Sequence, residues 1–398
     1  MKSLYQYIAE GGAAGHMLHP YDYNEFTLRD IKGLIRNLFS AKIEDITEKI
    51  DGTNIQATMN TAGQVVFIRN KGNLNSTIGG MTIDDMAAKW KDKPNIAKTF
   101  LTAGGIITKV FSKIGPKFFN PDDETRLVVN CECVIAGKTN IMVYDSDQVY
   151  FHNIWIYKKQ DGEWVNIDIT KKGLDIINNA CEKLDSAQVT PNVFIKITEK
   201  SKEILVDYIK EIDKIFKNEH CSEFSTILDY KKSRFDKYLH DNHLDWIADN
   251  TIVKDVLFNR WFCADKLINI KKIKDEVKEY SSELSALDKK GYKDIVAFAI
   301  EPIDIFFIKL GNEVISLCDN LMNNKNKNCV IKELQKDMQD AIDTVEADKK
   351  DRVLAQLQRM QDMQINATEG IVFYYKGQLM KLTGTFAPLN QIVELKYK

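Results

Sequence analysis

Strand periodicity runs from Lys49 to about residue 168, yields to helical periodicity from about 171 to 365, and returns for one closing hairpin. Loop-closure entropy grows slowly with insertion length, so a sheet domain tolerates a long helical detour in a surface connection. The expectation is an α+β chain of antiparallel sheets. Residues 1–170 and 366–398 would form one domain, with 171–365 as a helical insertion or accessory domain.

The local patterns behind that division are specific. NIQATMN alternates, VVFIRN and RLVVNCECVIA are β-rich, and QVYFHNIWIY is a β-branched and aromatic run. EWVNIDI follows Asp161-Gly162, a hairpin turn pair. MTIDDMAAKWKD and NIAKTFLTAGGIITKVF predict helices within this stretch. Ahead of it, FTLRDIKGLIRNLFS predicts a helix capped by Thr27 with Asp30 three residues on. Ile31, Leu34, Ile35 and Leu38 share its apolar face. EILVDYIKEIDKIFK, IVKDVLFNRWFCADKLI and the run from Val330 to Met360 each carry an apolar stripe with a charged back, the mark of a core-facing helix. At the end, GIVFYY and QLMKLTG flank a Lys376-Gly377 turn. No repeat of solenoid period occurs.

The peptide EKIDGTN, residues 48–54, carries the most chemistry. A Lys at a strand-to-turn junction, an acid two residues later and then a Gly suit a nucleophilic amine. Gly52 permits the unusual backbone angles of a tight turn, and Asp51 adds a carboxylate near Lys49. Such an amine is almost wholly protonated at pH 7 and needs neighbouring cations or desolvation to attack. K-x-D-G alone recurs by chance in roughly one protein of this size in ten, so the weight rests on the peptides downstream of it and their order along the chain.

In that order the chain resembles the covalent nucleotidyltransferase superfamily of ligases and capping enzymes. It is closest to the ATP-dependent RNA ligases that seal nicked duplex RNA and to their phage relatives. EKIDGTN resembles motif I, with Lys49 as the nucleophile that takes AMP. Arg69 in FIRNKGN resembles an Arg that holds nucleotide or 5′-phosphate oxygens. Glu132 in NCECVIAG resembles the motif III acid directed at the ribose. QVYFHNIWIY resembles motif IIIa, where an aromatic stacks on the purine and an acid follows. EGIVF resembles motif IV through Glu369, and LMKLTG resembles motif V through Lys381, which contacts the α-phosphate. Two positions depart from the pattern. His152-Asn153 stands where the aromatic and acid are expected, leaving His152 or Phe151 to stack, and Thr383 replaces a second Lys.

The resemblance implies an ATP-grasp-like ligase adenylation domain. Catalysis would fall to Lys49, Asp51, Glu369 and Lys381. Nucleotide contacts would come from Glu48, Arg69, Glu132, Phe151, His152 and Lys381. Glu369 and Glu132 would hold Mg²⁺ or Mn²⁺. The substrates implied are ATP and a polynucleotide, RNA with 5′-phosphate and 3′-hydroxyl ends. About fifteen residues follow Thr383, and 48 precede Lys49, so neither the OB-fold nor the large DNA-binding domain of DNA ligases and capping enzymes is expected. Asn54 also stands where those enzymes carry Arg. The alternatives are a DNA or mixed-substrate ligase and a nucleic-acid-binding scaffold on a degenerate transferase domain.

Composition bounds the rest. With 55 Lys and Arg against 57 Asp and Glu, a phosphate-gripping footprint has to be local. Lys271, Lys272 and Lys274, and Lys231, Lys232 and Arg234, are the candidates within the helical segment, whose other reading is a protein-partner surface or plain solvated faces. His16 and His19 either contact a phosphate end or belong to an ordered loop packed on the domain. Alternation puts Cys131 and Cys133 on one buried strand face, not in a zinc site. No apolar run suits a bilayer, and the start lacks a secretory h-region. The expected setting is reducing and cytoplasmic, that of a host cell if the protein is phage-encoded.

Overall fold

The structure, a computed structural model, describes residues 17–68, 71–76, 79–136, 141, 142, 144–263, 273, 277–322 and 327–397. Arg69, His16, Lys271, Lys272 and Lys274 lie outside these. The strands are β1 (Thr47–Lys49), β2 (Thr53–Met59), β3 (Val65–Ile68), β4 (Thr125–Val134), β5 (Gln148–Gln160), β6 (Glu163–Thr170), β7 (Ala187–Val189), β8 (Phe194–Ile195), β9 (Cys318–Asp319), β10 (Gly370–Tyr375) and β11 (Gln378–Leu382). The chain is α+β with antiparallel sheets. The larger sheet runs β3-β2-β4-β5-β6, with short β7 parallel to β5. The smaller runs β1-β10-β11.

The closing hairpin pairs with β1, so residues more than three hundred positions apart share a sheet: Lys49 stands opposite Gly370, and Val372 opposite Lys381. The turns at Asp161-Gly162 and Lys376-Gly377 are each two residues long. Asp161 and Gly162 adopt φ of 51° and 84°, the left-handed pair that matches the twist of antiparallel strands.

Each sheet buries one face against helices. Under the larger sheet, Ile55, Val129, Cys131, Cys133 and Phe151 pack on the helices Pro94–Ile114 and Leu174–Cys181. Both thiols lie in this core, as alternation along β4 predicts, and all seven cysteines are free. Behind the smaller sheet, Ile371, Phe373, Met380 and Leu382 meet the helix Leu28–Leu38. That helix starts as its sequence foretells. The Asp30 N–H donates to Thr27 Oγ1 at 3.2 Å, the Thr27 N–H donates to Asp30 Oδ2 at 3.0 Å, and Ile31, Leu34, Ile35 and Leu38 are fully buried. Four such apolar side chains each stabilise the fold by about 1.5–3 kcal/mol.

The helical segment does not keep wholly to a core of its own. Ile212, Phe216, Tyr230, Phe306 and Leu310 belong to the same cluster as the Leu28–Leu38 helix and the closing hairpin. A separate cluster joins Phe235, Leu257, Phe258 and Ile295. The Val330–Met360 run is two helices, Lys327–Thr344 and Lys350–Arg359, packed with a third, Phe386–Tyr397.

Lys231 and Arg234, expected in a basic footprint, are buried instead. Lys231 is buried and donates to Asn24 Oδ1 at 2.9 Å. Arg234 is buried in an ion pair with Glu219 at 3.1 Å and donates to the Phe298 carbonyl at 2.8 Å. Buried cations with committed partners hold helices together and do not reach a phosphate backbone. Lys232 pairs with Asp255 at 3.6 Å. Among the described residues, no helix is long and apolar enough to cross a membrane.

Candidate functional site

The uncovered faces of the two sheets enclose a cavity of about 450 Å³. The smaller sheet contributes Thr47, Lys49, Val372 and Lys381. The larger contributes Asn54, Gln56, Asn130, Glu132, His152 and Trp155. Alternation explains the division of labour: Cys131 and Cys133 fill the core while Glu132, between them, faces the cavity.

Lys49 ends β1 with its ammonium ion-paired to Glu369, the residue just before β10. Its cross-strand partner is a glycine, and the Lys49 side chain is 17% exposed. Gly52 is required by close approach and not, as the sequence suggested, by unusual backbone angles: it is absent from the positive-φ positions, but an added Cβ would lie 2.7 Å from the Cys133 carbonyl oxygen and 2.8 Å from Glu132 Cγ. The turn after Lys49 is therefore pressed against β4 beside Glu132. Asp51, expected beside the amine, is within electrostatic reach of Lys49 and is also tethered to the backbone. Its carboxylate accepts the Met142 N–H at 2.7 Å, its own N–H donates to the Tyr144 hydroxyl at 3.1 Å, and burial pushes it up to about 6. Glu48 borders the cavity, but its carboxylate accepts the Met322 N–H at 2.6 Å and a hydrogen bond from Thr368. Burial lifts it to about 6.

Lys381 faces the cavity from β11. Burial, with the nearby charge of Lys49, draws it below the usual Lys range. The segment from Met17 to Tyr23 straps the edge of that strand. The Lys381 N–H donates to the Leu18 carbonyl at 3.0 Å, and the Tyr23 hydroxyl to the Leu379 carbonyl at 2.6 Å. His19 sits in this strap, stacked on Tyr21, and burial together with Lys381 and Lys49 lowers it to about 3. It is a neutral imidazole in an ordered loop that packs beside the site.

On the opposite wall, Asn54 Nδ2 donates to Glu132 Oε2 at 3.3 Å, and His152 Nε2 lies 3.9 Å from the same oxygen. The other ring nitrogen of His152 is 2.9 Å from Thr190 Oγ1. Burial, then the charges of Lys49 and Lys171, lowers His152 to about 4, so this contact is not an ion pair at neutral pH. Burial pushes Glu132 up to about 8 against the attraction of Lys49 and the Asn54 hydrogen bond. A carboxyl raised above its unfolded value of 4.5 favours the fold fully below that pH, and the contribution is lost as pH climbs toward about 8. Glu132→Gln is therefore expected to raise the melting temperature relative to wild type more at pH 8 than at pH 5. An equal shift at both would mean that Glu132 does not titrate across that range.

Phe151 is corrected. It is fully buried in the core beneath the larger sheet, on the face away from the cavity. A register shift in the β4–β5 pairing sets Asn130 opposite Asn153 and Cys131 opposite Phe151, which turns both His152 and Asn153 to the cavity side. Thr383 lies beyond the end of β11 and is buried, away from the wall that Lys381 forms. Lys171 and Asp45, which pair at 3.5 Å at the rim, and Thr190 behind His152 carried no motif in the sequence.

The carboxylates fit a cation only through a bound phosphate. Among the described residues, no group of three or more His, Cys, Asp or Glu side chains could hold a metal ion. Glu369 and Glu132 do interact electrostatically around Lys49, and Mg²⁺ held chiefly by substrate phosphates and water needs only one or two carboxylates. No family model matches the chain, and no curated protein or solved structure matches it either.

Proposed function

We propose that the protein is an ATP-dependent polynucleotide ligase of the covalent nucleotidyltransferase kind, acting on RNA ends. The observation that carries this reading is the Lys49 amine. It stands on a cavity wall between the carboxylate of Glu369 and the second cation Lys381, facing Glu132, His152 and Asn54. Lys49, Glu132, His152, Glu369 and Lys381 are among the groups that the motif order selects, and they come from segments far apart in the chain. The adenylation-domain fold and the choice of RNA and ATP rest on the resemblance.

Phosphoryl transfer asks a protein chiefly to position groups and neutralise charge. Lys49 Nζ, positioned by Glu369, loses one proton to become the free amine and attacks the α-phosphorus of ATP, and a second N–H proton departs with the pyrophosphate. A P–N bond forms and the P–O bond to pyrophosphate breaks. Lys381 spreads the charge on the α-phosphate. Glu132 and His152 offer polar contacts to the nucleoside. A Mg²⁺ or Mn²⁺ ion bound through the phosphates with Glu369 and Glu132 would supply charge neutralisation on the triphosphate. In the second step a 5′-phosphate oxygen of the polynucleotide attacks the same phosphorus, and the Lys49 amine leaves. A 3′-hydroxyl then displaces AMP to form the phosphodiester.

Incubation with α-labelled ATP and a divalent cation should leave label on the denatured protein, stable to alkali and released by acid as a phosphoramidate requires. No covalent label under these conditions would overturn the reading and favour a binding scaffold. Glu369→Gln keeps the shape of the side chain and removes its charge. It is expected to cut labelling by about a hundredfold, the scale of a positioned charge in a catalytic site. A folded variant that labels at the wild-type rate would remove Glu369 from the chemistry.

A further inference from the structure

Gln56 is a wall residue that the proposed lysyl adenylylation does not use. Gln56 lies two positions beyond Asn54 on β2, about 7 Å further along the strand from Lys49. It is 1% exposed, and neither its Nε2 nor its Oε1 has a hydrogen-bond partner among the described residues. The amides around it are committed elsewhere: Asn130 Oδ1 accepts from Asn54 at 3.0 Å, and Asn153 Oδ1 accepts from the Trp155 indole N–H at 3.0 Å. A buried amide with both ends unsatisfied costs stability, and proteins keep such groups where a ligand completes them. Trp155, in the same cavity wall, is half-buried and offers a large aromatic surface.

We propose that Gln56 and Trp155 form a second base subsite, which takes the terminal base of the 5′-phosphorylated strand that receives AMP. The inference rests on reading the Lys49 cavity as a site of nucleotidyl transfer. An indole face stacks on any base, and a carboxamide presents one donor and one acceptor to a base edge. The rotatable bonds of Gln56 let its amide turn out from beneath the wall toward a stacked base. Placement along β2 from Asn54 sets this base apart from the nucleotide held at Lys49, Glu132 and His152, as two substrates present together require.

The test separates the two steps. Gln56→Met keeps the side-chain volume and removes the unpaired amide. This variant is expected to melt above wild type, to form the Lys49–AMP adduct within about twofold of the wild-type rate, and to pass AMP to a 5′-phosphorylated oligoribonucleotide about tenfold more slowly or worse. Trp155→Ala should show the same division between steps, with Trp155→Phe recovering most of the transfer. A Gln56→Met protein that melts below wild type would reveal a structural partner for the amide and overturn the proposal. So would wild-type transfer rates in Gln56→Met. Failure of the unaltered protein to form any adduct is a different outcome, which removes the nucleotidyl-transfer reading itself.

Discussion

Lys49→Ala and Lys49→Arg are both expected to take up no label from α-labelled ATP. Alanine has no nucleophile. Arginine keeps the positive charge that answers Glu369, but its delocalised guanidinium stays protonated and does not attack phosphorus near neutral pH. The pair of variants separates chemistry from folding. Lys49→Ala leaves a mostly buried carboxylate without its counterion, which costs stability, whereas Lys49→Arg retains one. Melting curves should therefore rank alanine below arginine while both remain unlabelled. Undiminished labelling of Lys49→Ala would place the covalent bond on another residue and end the assignment.

The Thr27–Asp30 cap and the four buried positions behind it were legible because both signals are local, three or four residues apart. The same holds for the Asp161-Gly162 turn. Glu132 was legible because strand alternation separates it from the two flanking thiols. Phe151 was misplaced as a stacking candidate for a local reason of another kind. The register shift near His152 turns two consecutive side chains to the cavity side, and no alternating pattern announces such an irregularity. Lys171, Asp45 and Thr190 reach the site through tertiary packing alone. An apolar stripe reveals that a helix has a buried face but not which element covers it, so the sharing of one core between the helical segment and the closing hairpin was beyond the pattern. The long helix Tyr292–Ser316 gives no amphipathic stripe, because it is apolar around much of its surface and carries Pro302 inside.

Gly370→Ala is expected to be the most destabilising single change around the site. Gly370 follows Glu369, stands opposite Lys49 and opens β10 with φ of 157°. A Cβ there would lie 2.2 Å from the Leu382 carbonyl oxygen and 2.9 Å from the Thr383 Cα, both backbone atoms that no rotamer change can move aside. The end of β11 would have to part from β10, just where the hairpin brings Glu369 and Lys381 near the amine. Backbone strain of about 1–3 kcal/mol and overpacking of about 1–3 kcal/mol together suggest a loss near 4 kcal/mol. The loss should appear as a lower denaturation midpoint with an unchanged denaturant slope. Where the variant remains folded, its labelling should fall along with its stability, because Lys49 relies on the same strand pairing for its register with Glu369. A variant as stable as wild type would mean that the β10–β11 pairing beside Lys49 is looser than the register between Ile371 and Leu382 requires.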